Sequence, residues 1–153
     1  MLLTDILTPQ RIRPALAGTT KEAVIEELLD LIAADGLLTD RDRALAAILE
    51  RERTRTTGIG SGLALPHGKS SGASTLAMAI GKCPAGVDFQ AIDGKPVTLV
   101  MLLVSPMDKT GPHIQALARI SRMMSIDAFR NKLAAAATAK EMYQLIQVNE
   151  SKE

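Results

Sequence analysis

The chain has 153 residues, 18 Lys plus Arg against 17 Asp plus Glu, a formal net charge of +1 and 46% apolar residues. This describes one domain, long enough to bury roughly 70% of its exposable surface without disulfides, and the lone Cys83 rules out a disulfide framework. Balanced charge excludes bulk electrostatic partners such as nucleic acid or an anionic membrane, and three aromatic residues (Phe89, Phe129, Tyr143) are too few for base-stacking platforms.

The opening Met1 to Arg13 lacks a charged region followed by an apolar one, and no run approaches the ~20 apolar residues of a membrane span. The expectation is a cytoplasmic protein that starts naturally at Met1 and is not membrane-embedded. Thr19-Thr20-Lys21-Glu22 reads as a capping box with Thr19 as the cap. It opens a helix whose Val24, Ile25, Leu28, Leu29 and Ile32 share one face and which stops at Asp35-Gly36. Asp40 caps a second helix with Leu45, Ile48 and Leu49 on its apolar stripe, and the next position of that stripe is Glu52. From Thr54 to Gly72 the periodicity vanishes among five glycines, which predicts an irregular, non-helical segment.

Beyond it, Thr75 to Ile80 and Val87 to Phe89 read as two short strands, Asp93-Gly94 as a turn, and Pro96 to Val104 as a central strand apolar on both faces. Gly111-Pro112 opens a helix with Ile114, Leu117, Ala118 and Met124 on one side. Asp127 is placed to cap a short Ala-rich helix, and Thr138 to Glu141 form a second capping box ahead of a last helix facing inward through Met142, Leu145 and Ile146. The fold class expected is α/β, a single-domain sandwich over 1–153 with a mixed β-sheet covered by helices on both faces, a core over about 5–148 and a frayed tail from Asn149 to Glu153.

The chemistry is sought in the glycine segment. Its tail, Gly68-Lys69-Ser70, looks like the end of a P-loop, but the required earlier glycine would stand at position 63, which is Leu63. His67 stands between Pro66 and Gly68, one restricting the backbone and the other permitting close approach. Its imidazole, mostly neutral near pH 7, has a lone pair free for phosphorus or a metal; an ordinary loop histidine is the alternative. His113, in the first turn of a helix, suits an anion such as phosphate, or is simply solvated. Two histidines and one cysteine without short ligand spacing do not read as a zinc site. Arg51, Arg53 and Arg55 complement a helix C-terminus and need no further role on that ground. Glu52 opposes the same dipole, which points to pairing with an arginine or a backbone donor inside the fold.

The run Leu49-Glu50-Arg51-Glu52, followed by Thr57-Gly58-Ile59-Gly60-Ser61-Gly62-Leu63-Ala64-Leu65-Pro66-His67-Gly68, resembles the fructose and mannitol type enzyme IIA family of the bacterial phosphoenolpyruvate-dependent phosphotransferase system. Val87 to Val97 looks like the nitrogen-related branch of that family, and the likeness extends from Leu7 to Gln147. The resemblance implies that His67 accepts a phosphoryl group through Nε2 from a histidine phosphocarrier protein, supported by Arg51 and by His113 as the second histidine. Glu52 is then expected to hold the Arg51 fork, while Thr57, Ser61 and the backbone at Gly68 are candidate donors to the phosphoryl oxygens. No metal or cofactor is implied. The onward partner would be a transporter, a sensor kinase or an enzyme IIB, according to whether the role is regulatory or in sugar transport. Leu63 and Leu65, where Ile or Val is usual, and Ile114, where Leu is usual, depart mildly from the family pattern.

Overall fold

Helix α1 (Lys21–Ala34) buries Val24, Ile25, Leu28, Leu29 and Ile32, the residues whose spacing predicts its inner face, and Gly36 just beyond it takes a left-handed φ of 73°. Its cap is Thr20, not Thr19: the Thr20 hydroxyl accepts from the Ala23 N–H at 3.2 Å. The carboxylate of Glu27 accepts from the N–H groups of Ala17 and Gly18, anchoring the incoming chain so that the helix begins one residue later. In α2 (Arg41–Thr54), Asp40 caps as expected, and Ala44, Ile48 and Glu52 are the buried residues. Leu45 and Leu49 are only partly covered. The computed structural model describes residues 1–152.

The glycine segment does not stay irregular. It forms three short strands, β2 (Gly58–Gly60), β3 (Leu63–Ala64) and β4 (His67–Lys69). They join β1 (Ile12–Arg13), β5 (Ala77–Val87) and β6 (Val97–Ser105) in one six-stranded mixed sheet. The central strand is β6, antiparallel to β5 along one edge and parallel to β3 and then β4 along the other. Periodicity cannot reveal strands of two or three residues, because their order comes from pairing with β6 rather than from their own alternation. A second difference is that β5 is continuous where two strands are expected. Pro84 and Gly86 interrupt the strand pattern in the sequence, but a register shift between Lys82 and Val87, with Gly86 at φ 79°, carries the strand through them.

Side-chain alternation along β6 divides the core in two. Met101 and Leu103 face the cluster built from the N-terminal 3-10 turns and the three C-terminal helices, whereas Val100, Leu102 and Val104 face the cluster under α1 and α2. The sandwich with helices on both faces is therefore the observed fold. The C-terminal helices are α3 (Thr110–Met124), α4 (Asp127–Ala135) and α5 (Ala139–Ser151).

Three expectations about them are corrected. The inner face of α3 is His113, Ala116, Ile120, Met123 and Met124, with Ile114 exposed and Ala118 not among the buried residues, because a histidine occupies the first inward position and a count of apolar residues starts at its neighbour. Asp127 is the first residue of α4 and makes no side-chain cap; its carboxylate instead receives the Arg130 guanidinium. The tail is not frayed through Asn149–Ser151. There α5 continues, and the buried Glu150 accepts the backbone N–H groups of Leu3 (2.6 Å) and Thr4 (3.1 Å). Glu153 lies outside the described residues. Thr138 does cap α5, accepting from the Glu141 N–H at 3.1 Å.

Candidate functional site

His67 opens β4 opposite Leu103 of β6, so its backbone is fixed by the sheet and its partly buried ring stands at the sheet's edge. The ring nitrogen Nδ1 lies 2.8 Å from the carbonyl oxygen of Leu65. A carbonyl can only accept, so Nδ1 carries the proton and Nε2 keeps the free lone pair. Burial lowers the imidazole's pKa; the Leu65 carbonyl and Glu52 push it up, and the Arg51 guanidinium pushes it down. The net direction is downward, which keeps the ring neutral near pH 7.

Gly68, the next residue, is where α2 crosses β4. A Cβ there would stand 3.2 Å from both Cγ1 and the backbone N of Ile48, so glycine lets the helix come this close. That approach carries the last turn of α2 to the histidine. Arg51, Arg55, Thr56, Thr57, Ile59, Leu65, His67, Ile92, Leu117 and Ser121 line one cavity of about 260 Å³. The three arginines thereby separate in role. Arg53 pairs with Glu50 at the solvated surface, while Arg51 and Arg55 border the histidine's cavity, with Arg51 Nη1 donating to the Arg55 carbonyl at 3.0 Å.

His113 approaches from α3, its ring centroid 5.6 Å from that of His67 at an interplanar angle of 54°. It is 5% exposed, and its Nδ1 shares a 2.7 Å hydrogen bond with the buried Ser105 hydroxyl. Burial first, then the neighbouring His67 and Lys69, push its pKa down to about 4, so this second imidazole is neutral as well. When Ser105 gives its proton to Nδ1, the His113 Nε2–H is left as a donor.

The other expected residues take different places. Glu52 is buried but does not hold Arg51. Its carboxylate accepts from the Thr57 N–H (3.0 Å) and the Thr57 hydroxyl (2.5 Å), and pairs with Lys21 at 3.0 Å. The Thr57 hydroxyl proton is thus committed to Glu52 and is not offered to the cavity. Ser61 is not brought to His67. At φ 57° in the turn between β2 and β3, with its N–H on Asp93, it lines a separate cleft with Gly62, Lys82 and Thr98. Gly68 serves the packing of α2 and is not among the residues that line the histidine's cavity. Among residues that sequence reasoning missed, the Leu65 carbonyl left no signal, since any residue has one. Ser105 did leave one, as a polar residue ending an apolar strand. Lys21 left one too, as a cation in the first turn of a helix.

A histidine with a free ring nitrogen and two guanidinium groups around one small cavity, with a second neutral imidazole 5.6 Å from the first, are parts suited to transferring an anionic group. Comparison with known proteins agrees with this. The family profile described as "Phosphoenolpyruvate-dependent sugar phosphotransferase system, EIIA 2" matches residues 5–149. The chain belongs to this enzyme IIA family. It is 38% identical over 127 residues to the fructose-specific EIIA component of the phosphotransferase system of Haloferax volcanii, covering 83% of this chain and 82% of that one. To the nitrogen regulatory protein of Pseudomonas aeruginosa it is 34% identical over 144 residues, covering 94% of each chain. The fructose-specific EIIABC component of Bacillus subtilis is 33% identical over 146 residues, but the enzyme IIA chain spans only 23% of that protein. Among solved structures, the nitrogen regulatory protein IIA-Ntr of Neisseria meningitidis superposes with a TM-score of 0.81 at 27% identity, covering 93% of this chain and 97% of that one. The IIA mannitol structure of Escherichia coli, at 21% identity and a TM-score of 0.79, covers 92% and 98% and shares the fold. Among the described residues, no helix is long and apolar enough to cross a membrane.

Proposed function

We propose that this enzyme IIA is a phosphoryl carrier of the cytoplasm in which His67 Nε2 takes a phosphoryl group from the phosphohistidine of a small phosphocarrier protein. The observation that carries the reading is the 2.8 Å contact between His67 Nδ1 and the Leu65 carbonyl, which commits one ring nitrogen to a proton and leaves the other as nucleophile. The Nε2 lone pair attacks phosphorus in line, a new N–P bond forms, and the electron pair of the broken N–P bond returns to the donor's imidazole. In a loose transition state the equatorial oxygens carry the charge, and Arg51, helped by Arg55 and a His113 Nε2–H, neutralises it. Arginine suits this task because its planar fork matches phosphoryl oxygens. Glu52 and Thr57 act on the geometry of the site and do not contact the transferred group.

Incubation with the general phosphotransferase components and phosphoenolpyruvate is expected to add a single acid-labile phosphoryl group, read by intact mass. The group is expected to be absent in a His67→Ala variant, and its persistence there would remove His67 from the role.

The purpose we favour is nitrogen or metabolic regulation, with the phosphorylation state of His67 deciding which transporter or kinase the protein binds. Support comes from the match to nitrogen regulatory proteins over 94% of both chains and from the fold neighbour IIA-Ntr. The 38% identity to a fructose-specific EIIA component favours a second reading, delivery of the phosphoryl group to an enzyme IIB for sugar transport. Pull-downs with wild type, His67→Ala and His67→Asp, run beside a transfer assay, separate the two. State-dependent capture of a membrane transporter or sensor kinase is the regulatory outcome, and phosphoryl transfer to a purified enzyme IIB is the transport outcome.

A further inference from the structure

Two charges in this fold stand where helix electrostatics oppose them. Lys21 occupies the first turn of α1, at the positive end of its dipole, and Glu52 the last turn of α2, at the negative end. The two face each other: Lys21 Nζ is 3.0 Å from Glu52 Oε1, and their side chains are only 11% and 3% exposed. Lys21 is gripped from other sides too. Its ammonium stands 5.5 Å from the centroid of the fully buried Phe89 ring and donates to Gln90 Oε1 at 3.0 Å. Gln90 adopts a left-handed φ of 53° beside it. A buried ion pair is costly to desolvate and is often no more stable than apolar packing, so stability alone is a weak reason for this arrangement.

The bonds made by Glu52 lead elsewhere. Its two carboxylate oxygens accept the Thr57 N–H and hydroxyl. The Thr57 carbonyl accepts the Leu65 N–H at 3.0 Å, and the Leu65 carbonyl accepts the Nδ1–H of His67 at 2.8 Å. A continuous series of hydrogen bonds thus runs from an ammonium on α1 to the imidazole, passing through α2 and the glycine segment on the way. Lys21 lines a different cavity from His67, so it has no place to touch the transferred group.

We propose that Lys21 is a positioning residue for phosphoryl transfer, acting through Glu52, Thr57 and Leu65 to fix the orientation and the Nδ1–H tautomer of His67. This rests on the reading of His67 as the acceptor. Lys21 does two things at once. It holds the Glu52 carboxylate where Thr57 can use it, and it neutralises an anionic charge that would otherwise make the imidazole more basic. The charged and titratable groups around His67 are Arg51 and Glu52 of α2, Arg55 beyond it, Lys69 of its own strand and His113 of α3.

Nitrogen-15 NMR of the imidazole rings in the unphosphorylated full chain reports the tautomer and the titration of His67 directly, with phosphorylation rates measured alongside. In Lys21→Met the His67 ring is expected to populate both tautomers, to titrate at higher pH than in wild type and to be phosphorylated ~10-fold more slowly. Lys21→Arg, which keeps the cation, is expected to restore all three. Lys21→Met leaves Glu52 buried and unpaired and can unfold the chain, so Lys21→Met/Glu52→Gln removes both charges together. In that double variant the side chain at position 52 has lost the Lys21 contact that clamps it against Thr57, so the tautomers are expected to mix as before, while the upward titration shift disappears along with the carboxylate. A folded variant with the wild-type tautomer, titration and rate, whether the single Lys21→Met or the double substitution, would overturn the proposal. A wild-type protein that takes up no phosphoryl group would instead overturn the reading of His67 as acceptor, leaving the tautomer result as it stands.

Discussion

At the scale of single residues, the site works by committing nitrogen atoms. His67 and His113 are both held neutral by burial, one with Nδ1 on a carbonyl and the other with Nδ1 on a hydroxyl. In the proposed transfer, Arg51, which borders the same cavity, supplies the charge that neutral rings cannot. An Arg51→Ala variant is expected to melt like wild type but to be phosphorylated ~100-fold more slowly in rapid-quench assays, as for loss of an electrostatic donor at a transition state; an unchanged rate would remove Arg51 from the site. The buried imidazoles also make stability depend on pH. Below its ordinary value near 6.5 the unfolded His113 takes up a proton, which the folded ring refuses until about pH 4, so folding free energy falls as pH drops across that window and is flat above it. The loss is at most roughly 3 kcal/mol from this group. Urea titrations between pH 7 and 4 are expected to show a shallower decline for His113→Gln than for wild type.

At the scale of elements, the site depends on α2 lying against β4, and the decisive contact is at Gly68. Gly68→Ala pushes a methyl group to 3.2 Å from Ile48 and to 3.3 Å from the carbonyl carbon of Ala47. The expected outcome is a loss of ~1–3 kcal/mol in chemical denaturation together with slower phosphorylation, because Arg51 moves away with its helix. The elements legible in the sequence are those whose own pattern decides them. Helices α1 and α2 follow apolar spacing and an Asp or Thr cap, and β6 follows an apolar run too short for a span. Those that are not legible owe their form to distant partners. Strands β2, β3 and β4 exist because β6 pairs with them, and apolar spacing misphases α3 because its inward row begins with His113. The place of Glu52 on an apolar stripe predicts its burial, but its partners Lys21 and Thr57 come from another helix and a following turn. No spacing rule connects them, so proximity in sequence points to Arg51 instead.

At the scale of the whole molecule, chain ends far apart in sequence close on one carboxylate. Glu150 of α5 receives the N–H groups of Leu3 and Thr4 and lies 3.5 Å from Arg119 of α3. Glu150→Ala is expected to cost ~2 kcal/mol in thermal or urea unfolding, as for removing a buried acceptor from several donors, while leaving the phosphorylation rate as in wild type, since the clasp shares no contact with the histidine's cavity. The sheet separates these duties, with the N-terminal turns and the three C-terminal helices on one face and α1 and α2 on the other, and His67 at the edge where Arg51 and His113 converge from α2 and α3. That convergence yields a phosphoryl carrier only if the lone pair it presents is the one left by Leu65. Phosphorus-31 and nitrogen-15 NMR of the protein labelled on histidine and phosphorylated from phosphoenolpyruvate decides this directly. One N–P bond at His67 Nε2, with Nδ1 still protonated, is the result predicted; phosphorus on Nδ1, or on any other residue, would contradict it.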